Sequence, residues 1–296
     1  THLNKPDWLK KRISLNNKNI DEVKDLLFDL NLNTVCQSAK CPNIFECFSK
    51  KTATFMLMGN TCTRNCSFCA VNSGKPAPLD IHEPENIATA ACLLKLQYVV
   101  LTSVTRDDIF DGGSEHFSKT IIAIRNKIPE VTIECLIPDF GGNINYLKKL
   151  LNTKPDVLNH NIETIERNYR TRRSKADYKR SLNILKNVKK INKHILTKSG
   201  FMLGLGENEN EIIKLIADLK DAECDILTIG QYLCPSDNNY PVQKYYSLEE
   251  FQHIKEIADS YNFKFVVSGA YVRSSYQASI AYKKSINKNK GNVIYI

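Results

Sequence analysis

The sequence predicts an α/β fold, a partial (β/α)6 TIM-like barrel, on three observations. Strand-like apolar stretches at 54–58, 98–102, 132–137, 156–160, 195–203 and 226–229 alternate with helical periods at 87–96, 119–127, 178–188 and 209–219. Such alternation builds parallel strands with helices outside them. The 296 residues, 42% of them hydrophobic, suffice for one large core. A compact cysteine run follows the first strand, and in barrels of this kind chemistry collects on the loops at the C-terminal strand ends.

Three segments divide the chain. Residues 1–52 form an N-terminal extension, 53–245 the partial barrel, and 246–296 a C-terminal helix and extension with a short strand at 265–270. The N-terminal segment opens with Lys5-Pro6-Asp7-Trp8-Leu9, where Trp8 is expected to anchor packing. After a polar turn at 16–19, Val23, Leu26, Leu27 and Leu30 repeat at helical spacing.

Ten cysteines in an intracellular-looking chain point to metal or redox chemistry rather than disulfides. Cys92, Cys135, Cys224 and Cys234 are scattered and are expected to pack as small hydrophobes. The other six form two triads. Cys62, Cys66 and Cys69 make a C-x3-C-x2-C run, three thiolates that leave a four-iron cluster one iron short of a protein ligand. An iron left open in this way binds a small molecule. Cys36, Cys41 and Cys47 make a C-x4-C-x5-C run before it. Three cysteines in a loop are also three quarters of a structural zinc site, but two triads each lacking a fourth cysteine suit zinc poorly.

A net charge of +9 favours an acidic partner. No basic stripe interleaved with aromatics indicates nucleic acid, and no apolar run approaches a membrane span. No signal-peptide pattern opens the chain, so a cytoplasmic location is expected. Because the first residue is Thr1 rather than Met, an organellar location after removal of a targeting segment stays open.

The first triad, with the aromatic Phe68 before its last cysteine, resembles the radical S-adenosylmethionine (SAM) enzymes. A C-x4-C-x5-C triad shortly before it, joined to Arg273-Ser274-Ser275-Tyr276 near the C-terminus, resembles the lipoyl synthase family. That likeness runs from Cys36 to Ala278. It implies two 4Fe-4S clusters, one at Cys62, Cys66 and Cys69 that chelates SAM, and an auxiliary one carried by the two extensions. Cys36, Cys41, Cys47 and a serine would hold the auxiliary cluster, Ser275 being favoured over Ser274. The implied reaction inserts two sulfurs at carbons 6 and 8 of an octanoyl-lysine, using two SAM per lipoyl group, with the auxiliary cluster as sulfur donor. The implied partners are an octanoylated lipoyl carrier domain (a 2-oxoacid dehydrogenase E2 subunit or a glycine cleavage H protein) and a ferredoxin or flavodoxin reductant.

Other strand-end loops carry the remaining candidates. Gly112 and Gly113 allow close backbone approach, and the resemblance puts their carbonyls beside the SAM ammonium; alone, such a pair is a turn. Asn161 and Glu163 are candidates for the methionine portion and the ribose hydroxyls, with a helix cap as the competing role for Asn161. Of Arg172, Arg173 and Arg180, Arg180 is preferred as a fork for the SAM carboxylate. Met202 is placed against the adenine. Its glycine-rich loop, 200–206, lacks the phosphate-binding fingerprint, as suits a ligand without phosphate. Lys10, Lys11 and Arg12 are candidates for carrier docking.

Overall fold

The computed structural model describes residues 3–10, 17–173 and 175–287. The N-terminal segment supplies α1 (Lys18–Asp29), α2 (Val35–Ser38) and α3 (Ile44–Ser49). Asn17 and Thr34 begin the first two by accepting hydrogen bonds from the backbone N–H groups of Asn19 and Gln37. The helical period in α1 buries Ile20, Val23 and Leu27.

Strand β1 (Thr54–Leu57) starts the barrel, and the short pair β2 (Thr61–Cys62) and β3 (Asn72–Ser73) closes the loop beyond it. Then come α4 (Glu83–Leu93), β4 (Tyr98–Ser103), α5 (Ser114–Lys127), β5 (Thr132–Leu136), α6 (Ile144–Leu151) and β6 (Val157–Asn159). The second half comprises α7 (Glu166–Arg172), α8 (Tyr178–Ile191), β7 (Leu196–Leu203), α9 (Glu209–Asp221), β8 (Ile226–Gln231), α10 (Leu248–Ser260), β9 (Phe265–Gly269) and α11 (Ala278–Asn287). Capping boxes, Asn208 with Glu211 and Ser247 with Glu250, define the starts of α9 and α10.

The main sheet is wholly parallel, in the order β1-β4-β5-β6-β7-β8-β9. It therefore has seven strands, one more than the expected six, because Phe265–Gly269 pairs with β8 as a full member of the sheet. Both faces of β1, β7 and β8 are covered, so their sequences read as apolar runs rather than alternating ones.

Helix α11 packs across the N-terminal strand ends. Ala281 joins Val157, Leu196 and Ile226, the first residues of β6, β7 and β8, and the Tyr282 ring lies 5.8 Å from that of Tyr98 at the start of β4. Above this floor is a buried polar layer. Glu134 accepts from Lys198 at 2.9 and 3.1 Å, from Asn159 at 2.9 Å and from Tyr98 at 2.6 Å. The functional loops thus stand at the other, C-terminal end.

Two packing expectations need correction. Trp8 is 42% exposed, and the buried anchor is its neighbour Leu9, whose carbonyl accepts from the Tyr271 hydroxyl at 2.6 Å. Cys135 and Cys224 are buried as expected, but Cys92 is exposed and Cys234 is half-buried. Among the described residues, no helix is long and apolar enough to cross a membrane.

Candidate functional site

The loop after β1 places Cys62 in β2 and Cys66 and Cys69 on the turn that returns to β3. Its sulfurs meet backbone donors. Cys62 Sγ accepts from the N–H groups of Arg64 (3.4 Å) and Thr105 (3.3 Å), and Cys69 Sγ from that of Val71 (3.4 Å). Such bonds orient thiolate ligands and adjust the electronics of a bound cluster.

Arg64, inside this loop, fastens it to the barrel. Its guanidinium donates to Asp107 at 2.9 and 2.8 Å and to Asp139 at 3.0 and 2.7 Å, bridging the loops after β4 and β5. Burial alone would raise the Asp139 carboxyl, but the Arg64 hydrogen bonds and charge prevail and hold it at about 2. Sequence reasoning passed over Arg64. The signal was present: a cationic residue between cluster cysteines, with aspartates on the next two strand-end loops.

Later loops grip the same cysteine loop from the other side. Asn239 donates to the carbonyls of Ser67 (3.3 Å) and Cys69 (2.9 Å), and the Tyr240 N–H donates to Ser67 at 2.8 Å. The Ser67 N–H in turn reaches the Arg172 carbonyl at 2.9 Å, while the Arg172 guanidinium lies 3.4 Å from the Tyr240 ring centroid. Phe68 and Met202 pack into one cluster with Leu205, Tyr232 and Val242.

The other triad sits across from this loop. Cys36 lies on α2, Cys41 in the following turn and Cys47 on α3, and the segment is pinned to β1 by the Met56 N–H to the Asn33 carbonyl at 2.8 Å. The C-terminal turn is tied to it twice. Asn43 donates to the Tyr271 carbonyl at 2.7 Å, and the Tyr276 hydroxyl donates to the Glu46 carboxylate at 2.9 and 3.1 Å. Gly230 in β8 permits this closeness, because a Cβ there would collide with the Val272 carbonyl.

One cavity of about 560 Å³ connects these parts. Cys36, Cys41, Cys62, Cys66, Cys69 and Ser275 all line it, with apolar wall from Val35, Leu136 and Val272. Burial, reinforced by the neighbouring thiols, pushes Cys36 and Cys66 up to about 11 and Cys47 and Cys69 up to about 12. The thiols of each triad oppose one another's ionisation, Cys36 and Cys41 acting on Cys47, which does not itself line the cavity. Thiols in this state ionise when a metal supplies the compensating charge. Soft sulfur donors with N–H···S support fit an iron–sulfur cluster. Among the described residues, no three His, Cys, Asp or Glu side chains converge on a single metal ion.

The remaining candidates separate. Asn161 and Glu163 line the cavity, as does Met202. Glu163 adopts a left-handed conformation (φ 65°) while its backbone bridges β7, and burial raises its carboxyl. Arg180 is not on the cavity wall; its Nε donates to Asp139 at 2.9 Å and its Nη2 to the Lys175 carbonyl at 2.7 Å. Of the three candidate arginines, Arg173 is on the wall, which Arg64 and Arg273 also line; it donates to the Tyr169 hydroxyl at 2.6 Å and lies near the charges of Glu163 and Cys66. Gly112 and Gly113 are off the wall as well. Gly113 precedes α5 at φ 90°, and a Cβ there would overlap Met58, while one at Gly112 would crowd the Phe140 ring; the adjoining wall is formed by Thr102 to Thr105. Lys10 is exposed and pairs with Asp7, whereas Lys11 and Arg12 lie outside the described residues.

A parallel partial barrel with a C-x3-C-x2-C loop at its C-terminal strand ends defines a radical SAM enzyme, and the Radical SAM superfamily profile matches residues 56–219. Among solved structures, the fold is similar to HydG, a hydrogenase maturase (TM-score 0.59, 12% identity, 78% of this chain and 54% of that one). It is also similar to methylornithine synthase (TM-score 0.53, 14% identity, 88% and 85%). At sequence level the chain is 54% identical to the lipoyl synthase of Caldicellulosiruptor bescii, over 94% of this chain and 95% of that one. It is 53% identical to that of Caldanaerobacter subterraneus (93% and 96%) and 49% identical to that of Buchnera aphidicola (97% and 90%). The chain belongs to the lipoyl synthase family. It is therefore a radical SAM sulfurtransferase of lipoyl cofactor synthesis, and its family carries a 4Fe-4S cluster and SAM.

Proposed function

We propose that the chain inserts sulfur at carbons 6 and 8 of an octanoyl-lysine on a lipoyl carrier domain. In this reading Cys62, Cys66 and Cys69 hold the SAM-binding cluster, and Cys36, Cys41, Cys47 and Ser275 hold an auxiliary cluster that donates the sulfur. One observation carries it: the whole of one cysteine triad, Cys36 and Cys41 of the other and Ser275 line a single cavity, which supports a reading in which hydrogen removal and sulfur supply share one chamber. When bound, the reduced cluster and SAM supply a 5′-deoxyadenosyl radical that removes hydrogen from carbon positions no acid or base side chain could activate.

The protein's own part is binding, orientation and shielding. Arg173 and Glu163, both on the wall and close enough to feel each other's charge, suit the zwitterionic and ribose parts of SAM, and Phe68 and Met202 are grouped in an apolar cluster suited to adenine. Val35, Leu136 and Val272 leave an apolar course for an acyl chain, in a volume typical of small-ligand sites. Ser275 offers a hard oxygen where the other donors are soft sulfur, a ligand that iron releases more readily.

The net charge of +9 suits an acidic carrier domain, an E2 lipoyl domain or an H protein, and makes encounter salt-sensitive. A ferredoxin or flavodoxin would deliver the electron, and the cytoplasm is the corresponding location.

The test is an anaerobic assay of iron-reconstituted protein with reductant, SAM and an octanoyl-lysyl peptide, reading peptide mass and 5′-deoxyadenosine together. A two-sulfur mass gain, lost in Cys41→Ala or Ser275→Ala while SAM cleavage persists, is expected. SAM cleavage by the unaltered chain without sulfur gain would overturn the reading.

A further inference from the structure

Ser274 stands where the two halves of the cavity meet. Asn161, at the end of β6 and 8% exposed, donates through Nδ2 to Glu163 Oε1 at 3.0 Å and to Ser274 Oγ at 2.7 Å. The Ser274 hydroxyl returns a bond to Asn161 Oδ1 at 2.9 Å. The neighbouring Ser275 lines the cavity and makes no hydrogen bond among the described residues, so its oxygen is left for another partner.

The turn carrying these serines has two kinds of attachment. On one side the Tyr276–Glu46 and Asn43–Tyr271 bonds tie it to the segment of Cys41 and Cys47. On the other, the Ser274–Asn161 pair ties it to the residues assigned to SAM. The Asn161 amide has two hydrogens, one toward Glu163 and one toward Ser274, so whatever fixes the Glu163 carboxylate also fixes the amide plane and with it the serine turn.

We infer that Ser274 is a positioning residue that couples SAM binding to the placement of Ser275. The inference rests on the two-cluster reading above and adds to it an energetic link between the sites. Coupling between binding sites is reciprocal: if SAM favours the turn position that lets Ser275 ligate, an intact auxiliary cluster favours SAM by the same factor.

The experiment measures SAM affinity by anaerobic equilibrium dialysis without reductant, so that nothing turns over. Unaltered chain with both clusters is compared with the Cys36→Ala/Cys41→Ala/Cys47→Ala variant, and the comparison is repeated in Ser274→Ala and Ser274→Thr backgrounds, with iron counted before SAM is added. Loss of the second triad should weaken SAM binding at least about fivefold, the lower range of measured site–site coupling. Ser274→Ala should shrink that ratio below about twofold while keeping both clusters, and Ser274→Thr, which retains the hydroxyl, should restore it.

An equal ratio with and without the Ser274 hydroxyl, or no ratio in the unaltered chain, overturns the inference and leaves the two-cluster reading intact. Loss of auxiliary iron in Ser274→Ala makes Ser274 a ligand and overturns it too. An unaltered chain that never holds more than about four irons overturns the two-cluster reading and the inference together.

Discussion

Replacing Arg64 with methionine isolates what holds the cysteine loop to the barrel. The Arg64 and Asp139 side chains are 8% and 2% exposed, whereas Asp107 is 34% exposed and its share is screened by water. In Arg64→Met, Asp139 keeps, among the described residues, Arg180 as its charged partner, at 2.9 Å and from a side chain 29% exposed. Breaking a buried ion pair costs about 3–5 kcal/mol, and the remaining Arg180 bond puts the expected loss near about 3 kcal/mol at pH 7. Acid should change the number in a defined direction. The Asp139 carboxyl is held at about 2, below its ordinary value of 3.8, so its contribution is complete above about pH 4 and lost as pH falls through about 2. That contribution is about 2 kcal/mol. Without Arg64 the carboxyl climbs, so its contribution is smaller and its loss is finished at higher pH, and the penalty of the substitution shrinks as pH falls below about 4. Urea unfolding of the reduced, metal-free chain between pH 3 and pH 7, followed by far-ultraviolet circular dichroism, measures this. A penalty under about 1 kcal/mol at pH 7, or one independent of pH, would refute the reasoning.

Other perturbations address separate parts of the molecule. Lys198→Met strands Glu134, which is 0% exposed, and should cost about 3–5 kcal/mol in urea unfolding, whereas Tyr98→Phe should cost only about 1–2 kcal/mol. Similar losses from the two would mean that the charge pair is not what the buried layer depends on. Gly230→Ala pushes against the Val272 carbonyl beneath the serine turn; iron content should fall toward one cluster per chain while the electron paramagnetic resonance signal of the first triad persists. Asn239→Ala removes the donors to the Ser67 and Cys69 carbonyls, and SAM cleavage should slow by up to about tenfold with a shifted cluster signal; an unchanged signal would count against the loop's role.

Much of this architecture was legible because it is local. Strand starts at 54, 98 and 226 fall where apolar runs placed them, and the spacing of Cys62, Cys66 and Cys69 already confines them to one short loop. What was hidden depends on which partner a side chain finds. Arg180 and Arg173 look alike in sequence, yet Asp139 captures one and leaves the other on the cavity wall. Gly112-Gly113 reads equally well as ligand contact or as packing device, and the packing on Met58 and Phe140 is visible only in three dimensions. Phe265–Gly269 is a short apolar run whose place in the sheet depends on the exposed edge of β8, a property of another segment. Trp8 was misjudged because size favours burial on average, while its neighbour Leu9 fills the available pocket.

The clasp between Asn43 and Tyr271 joins residues 228 positions apart. The first triad is complete within eight residues of chain, whereas the surface that Ser275 shares with Cys36 and Cys41 needs segments more than two hundred residues apart. A chain interrupted before the final turn retains every cysteine and still lacks the part of the cavity wall that Val272 to Ser275 supply.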